Sequence, residues 1–208
     1  MYFCFILISK VVSYHMSELE AYLYLGLTHI TDLNGYDHIL FIVGLCVVYQ
    51  LKDWKKILVL VTAFTLGHSL TLALATLNII ALNSKFVEVF IPITIILTST
   101  YNFWTQGELN AKTQGTRYAF AAFFGLIHGL GFSNFLRSML SRKQSLFDPL
   151  LAFNIGLEIG QLAIVVIFFT LQYLMVNLLR LKQNHWFTAI NGMVIVLAVQ
   201  ILFKNIVV

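Results

Sequence analysis

Charge is scarce in this chain. Of its 208 residues only 11% are Asp, Glu, Lys or Arg, while 59% are hydrophobic. A soluble domain of this length could not cover its surface with so few charges, so composition points to an integral membrane protein of one domain. Cysteine is also sparse. Cys4 and Cys46 share no metal-ligand spacing and read as small apolar filler rather than a disulfide or a ligand pair. No Walker A sequence is present, which excludes a built-in ATPase. No basic face with interleaved aromatics is present either, which argues against nucleic acid as a partner. Repeats and low-complexity segments are missing. The most telling absence is that of Lys and Arg from the strongly apolar stretches.

Those stretches hold other polar residues. His29, His38, His68 and His128 lie in or beside them, as do Asp37, Glu88 and Glu158. A titratable side chain at bilayer depth costs roughly 3 kcal/mol on insertion scales unless it is paired, solvated or bound. Carboxylates and imidazoles without a basic partner suit a cation, either a proton or a transition metal.

The fold class expected is all-α: a polytopic membrane protein with about six transmembrane helices and an amphipathic or re-entrant N-terminal helix. Residues 1–15 form an uncertain lead segment or an upstream start, since Met16 opens a plausible true beginning. Residues 16–208 form the single transmembrane domain. The N-terminal helix is expected over 17–33, with Leu19, Tyr22, Leu23 and Gly26 on one side, and Asn34-Gly35 breaks it from the first span. Spans of roughly 20 apolar residues are expected at 36–51 (short), 57–82, 86–104, 118–136, 150–179 and 186–203. Thirteen basic residues against nine acidic give a net charge of +4. Lys52, Lys55, Lys56, Lys112, Arg117, Arg180 and Lys182 fall in the odd-numbered loops, which read as cytoplasmic. Gly125-x-x-x-Gly129 and Gly156-x-x-x-Gly160 mark close helix contacts.

Four segments carry the chemistry. In HITDLNGYDHILF, the Asn34-Gly35 break can fold His29 back toward Asp37 and His38. That group is a ligand set, or a ligand with the carboxylate that fixes its tautomer; otherwise Asp37 is a helix-capping acid. His68 lies mid-span, as a ligand or as an interhelical hydrogen-bonding group, and Ser69 and Thr71 read as bonding back to their own helix. Around His128, three glycines in FFGLIHGLGFSNFL suggest a broken helix that presents the imidazole into a cavity. Asn154, Glu158 and Gln161 share one helix face at i, i+4 and i+7, as a polar pathway or as an interhelical hydrogen-bond ladder. Glu88 opens its span in the first turn, where an acid suits the helix dipole; otherwise it supports a metal ligand or lines the ion's pathway, as Asn154 and Gln161 would.

Together these segments resemble the HupE/UreJ family of small membrane proteins, in particular its second, bacterial subgroup. The matching residues are His29 with G-Y-D-H-I-L-F from Gly35, G-H-S-x-T-L from Gly67, F-G-x-x-H-G-x-G-F from Phe124 and F-N-x-G-x-E-x-G-Q from Phe153. The resemblance covers about residues 17 to 205 and implies a multi-pass protein of the bacterial inner (cytoplasmic) membrane. Family members are regarded as nickel or cobalt permeases, often found with hydrogenase or urease genes. Carried over, His29, Asp37 and His38 handle the metal, with His68, His128 and Glu158 as matching polar positions. Many relatives begin with a clear signal sequence, and this chain does not.

The leading expectation is therefore a transporter, not an enzyme, for a divalent transition metal: nickel first, then cobalt. An O/N site without thiolates suits a metal that must be released. An intramembrane zinc-dependent hydrolase acting on lipid is the alternative, with Glu158 or Asp37 activating water. A non-catalytic assembly protein whose polar residues only join helices is the third.

Overall fold

The computed structural model describes residues 17–80, 83–139 and 146–207. The expected lead segment, with Cys4 and His15, lies outside the described residues. Among those described there are seven α-helices and no strand: α1 (Glu18–Ile30), α2 (Asp37–Cys46), α3 (Trp54–Thr76), α4 (Ser84–Trp104), α5 (Ala111–Met139), α6 (Phe147–Tyr173) and α7 (Gln183–Val207). Four helical stretches are long and apolar enough to cross a membrane: Leu51–Thr76, Ser84–Trp104, Phe147–Leu178 and Gln183–Val207. α5 is 29 residues long but less apolar, because glycines and polar side chains interrupt it.

The expected first span is not a single helix. α2 has only 10 residues, so it rises about 15 Å, half the hydrocarbon thickness of a bilayer. α1 supplies the other half. Ser17 and Glu20 close its N-terminus reciprocally, Ser17 N–H donating to Glu20 Oε2 at 2.7 Å. Its packing then fixes its direction. Gly26 lies against the backbone of Phe153 and Leu157, Gly156 against Leu23, and Gly160 against Ile30. α1 thus runs parallel to α6 and stops about halfway along it.

α2 continues the same way. Its Gly44 carbonyl accepts from Asn102 near the end of α4, at 2.7 Å. Tyr49, just beyond α2, exchanges hydrogen bonds with Gln114 at the start of α5. α1 and α2 are therefore two halves of one discontinuous helix, broken at residues 31–36. The expected amphipathic helix ahead of the first span is the first half of that span. Its inner face (Tyr22, Gly26, Ile30) is buried on α6, while Leu19 is exposed. The break is a local turn, with the Asp32 carboxylate accepting from Asn34 N–H at 2.9 Å.

Of the two expectations for the glycines around His128, a close helix contact and a broken helix, the structure has the contact and not the break. α5 runs unbroken through them. Gly125 abuts Phe64 and His68, Gly129 abuts His68 and Thr71, and Gly67 on α3 abuts Ala122 and Leu126. Lacking Cβ atoms, these residues let α3 and α5 run in contact, parallel, as α1 and α6 do. α2 sits at the centre. It packs on α4, α6 and α7, and the Phe41 ring lies 5.3 Å from that of Phe64 on α3 and 5.1 Å from that of Phe124 on α5.

Arg117, expected in a solvated loop, is 1% exposed. Its guanidinium donates to the Glu108 carbonyl and to Thr105 Oγ1, each at 2.9 Å, and lies over Tyr101. Carbonyls and hydroxyls at the C-terminus of α4 solvate the charge where no carboxylate does.

Candidate metal centre

The break in the first helix is what assembles the site. His29 lies one residue before the end of α1, and His38 is the second residue of α2. The turn at residues 31–36 sets the end of α1 against the start of α2 and brings the two histidine rings to 4.7 Å. His68 arrives from the middle of α3, with ring centroids 5.9 Å from His29 and 6.5 Å from His38. One ligand atom from each of these three histidines lies within 4.8 Å of the other two. Two nitrogens bound to one ion at about 2.1 Å stand at most about 4.2 Å apart, so small ring rotations close the set. His128 from α5 flanks the group, its ring 4.7 Å from that of His38.

Hydrogen bonds leave the right nitrogens free. His38 Nδ1 and Asp37 Oδ1 are 3.0 Å apart, with the imidazole N–H donating to the carboxylate. His128 Nδ1 donates to the Phe124 carbonyl at 2.8 Å. In each ring the remaining Nε2 keeps its lone pair, and in each it is buried without a partner. His29 Nε2 and both nitrogens of His68 are likewise buried and unpaired. Buried polar atoms are nearly always satisfied, so several orphaned imidazole nitrogens around one point call for an explanation, and a bound cation is one.

The walls are aromatic. Phe132 packs on His29 at 4.1 Å, Phe153 stacks near His68 at 6.0 Å, and Phe64 lies 5.4 Å from His128. Such walls exclude water and raise the cost of bare charge. Asp37 is the acid that touches the cluster, and its negative charge offsets part of a dication's.

Glu158 and Gln161 are outside the three-histidine set. Thr62 Oγ1 donates to Glu158 Oε1 at 2.7 Å, and Thr65 Oγ1 donates to Gln161 Oε1 at 2.8 Å. The stripe on α6 is thus a hydrogen-bond ladder to α3. Asn154 Oδ1 is buried without a partner. Glu88 is exposed near the start of α4, and there its backbone carbonyl accepts from Asn205. Ser69 and Thr71 bond back to their own helix, as their positions suggest.

A family model described as HupE / UreJ protein matches residues 8–205. The chain belongs to the HupE/UreJ family. No curated protein and no solved structure matches it. Membership in this family of metal-transporter-like membrane proteins agrees with a cluster of imidazoles among apolar helices. Sequence reasoning missed two contributors. Thr62 and Thr65 look like ordinary span residues until α6 is placed beside them. Asn102, buried near the end of α4, bonds Gly44 and Asn191 rather than a histidine. The phenylalanine walls were in view, since Phe41, Phe132 and Phe153 stand inside the matching motifs; their spacing from the histidines was the available signal.

Proposed function

We propose that this HupE/UreJ protein moves a divalent transition-metal cation, nickel or cobalt, through the centre of its helical bundle. The observation that carries the reading is the convergence of His29, His38 and His68 across a helix break halfway along α6. His38 Nε2, His68 and His29 act as ligands. Asp37 orients His38 and supplies counter-charge. His128 Nε2 stands ready to take the ion next, and Glu158 and Gln161 continue the polar path along α3 and α6.

The break also provides the approach. Asp32, Leu33, Asn34 and Gly35 are exposed, although α1 ends level with the middle of α6. Irregular backbone at such depth is tolerated where it lines water or is covered by protein. Water reaching this turn would bring the hydrated cation to His29, the least buried of the three ligands. Imidazole suits nickel and cobalt, and the absence of thiolate allows release. A lipid hydrolase is less well served. It needs a free carboxylate to activate water at the metal, whereas Asp37 holds His38 and Glu158 accepts from Thr62.

The test is uptake into proteoliposomes holding purified protein and a metal-quenched dye. Ni²⁺ or Co²⁺ should enter at a rate that saturates with concentration, and His38→Ala should abolish that component. Uptake by His38→Ala equal to the parent's would overturn the assignment.

A further inference from the structure

Away from the histidines, at the end of the bundle that carries the lysine-rich connection, α3 and α6 leave a groove of about 390 Å³ between them. Leu51, Trp54 and Leu58 form one wall, and Val166, Phe169 and Tyr173 form the other. The α6 wall extends from Leu162 to Tyr173, a rise of about 16 Å. The lining offers almost no hydrogen bonds. Its one hydroxyl outside the mouth, Thr170 Oγ1, donates to the Val166 carbonyl of its own helix. Long, narrow and apolar, the groove matches an alkyl chain rather than a polar solute.

Its mouth is different. Trp54 and Tyr173 are both more than half exposed there, the placement such rings favour at a membrane–water interface. Lys52 follows Leu51 directly, and Lys55 Nζ lies 5.6 Å from the centroid of the Trp54 ring. Both lysines are exposed. Lys56 is held by Asp53 at 3.0 Å, but no ion pair among the described residues engages Lys52 or Lys55. Two unpaired cations thus stand at the interfacial end of an acyl-sized groove. Anionic headgroups are attracted to such lysines. A second copy docked symmetrically on this face would bring the same lysines together and be repelled.

We propose that the groove between α3 and α6 binds an acyl chain of an anionic phospholipid whose headgroup rests on Lys52 and Lys55. This site is separate from the histidine cluster and does not depend on what the cluster carries.

Trp54 reports on the site directly. The full-length protein is reconstituted in phosphatidylcholine vesicles containing a minor fraction of bromine-labelled lipid, either phosphatidylglycerol or phosphatidylcholine. Quenching that disappears in Trp54→Phe is assigned to the groove. Phosphatidylglycerol should bind there about thirtyfold better than phosphatidylcholine, the ratio expected from the attraction of two lysines. Lys52→Gln with Lys55→Gln should remove that preference. Val166→Phe, which fills the groove, should reduce the Trp54-specific quenching by both lipids. Soluble glycerol phosphate should not compete, because it lacks the chain. Equal quenching by the two lipids in the parent would overturn the proposal. So would a preference that survives the double Gln substitution, quenching that survives Val166→Phe, or full competition by glycerol phosphate. All of these substitutions are on exposed positions, and unchanged thermal unfolding of each variant confirms that the fold is intact.

Discussion

The Asp37 carboxylate stands 3.0 Å from Nδ1 of its own neighbour, His38. Adjacent residues on a helix point about 100° apart, yet this pair meets because Asp37 opens α2, where its carboxylate can turn toward the next residue. It also accepts from the His38 backbone N–H at 2.9 Å. The same contact fixes the imidazole tautomer and turns Nε2 inward.

Asp37→Asn is therefore expected to leave the protein folded while weakening metal binding. Loss of such an outer partner lowers affinity by about 10- to 100-fold. Equilibrium binding of Ni²⁺ to detergent-solubilised protein measures it, and an affinity equal to the parent's would show that Asp37 only caps its helix.

His68 and His128 should separate. His68 belongs to the set of three mutually close ligand atoms, whereas His128 touches it through His38. His68→Ala should cost more affinity than the outer-partner range of about 10- to 100-fold, and His128→Ala should cost less. The reverse order, read in the same binding assay, would move the centre of the site toward α5.

The seam between α1 and α6 should be intolerant of a single methyl. A Cβ at Gly156 would run into the Leu23 carbonyl, so Gly156→Ala pushes α1, and His29 with it, off the bundle. Overpacking of this kind costs about 1–3 kcal/mol. Thermal unfolding and Ni²⁺ affinity should both fall. Gly192→Ala is the control, because nothing lies within 4 Å of a Cβ there. Equal behaviour of the two variants would contradict the parallel packing of α1.

Glu158 accepts from Thr62 rather than joining the three histidines. Glu158→Gln should leave equilibrium Ni²⁺ binding within about threefold of the parent, since each factor of ten needs about 1.4 kcal/mol. Its effect should fall on transport rate in proteoliposomes. A large loss of binding with no change in rate per bound ion would make Glu158 a direct ligand instead.

Arg117 should matter for stability alone. Arg117→Gln removes the donors to the Glu108 carbonyl and to Thr105 Oγ1, at about 1.5–3 kcal/mol for a charged hydrogen bond. Because Arg117 sits at the Tyr49 end of the bundle, metal affinity should be unchanged while the unfolding temperature drops. Lys should rescue poorly, lacking the planar fork.

Sequence alone determined the membrane class, because 11% charge in 208 residues cannot clothe a soluble surface. It also singled out the histidines and acids, since each stands in or beside an apolar stretch without a basic partner, and it marked Asn34-Gly35 as a break. The glycine pairs on α5 and α6 were legible as contacts by their four-residue spacing. Direction and partnership were not legible. Periodicity shows that α1 has an inner face but not that the face lies parallel on α6, and this is what makes α1 and α2 halves of one helix. The glycines around His128 also have the composition of a kink; the backbone of α3, packed against an unbroken α5, shows that they serve the contact alone. Arg117 reads as a loop charge until the carbonyl end of α4 is placed around it. Local sequence fixes which residues are costly in an apolar setting. Which of them share one point depends on contacts between segments far apart in the chain, and only the tertiary structure brings His29, His38 and His68 together.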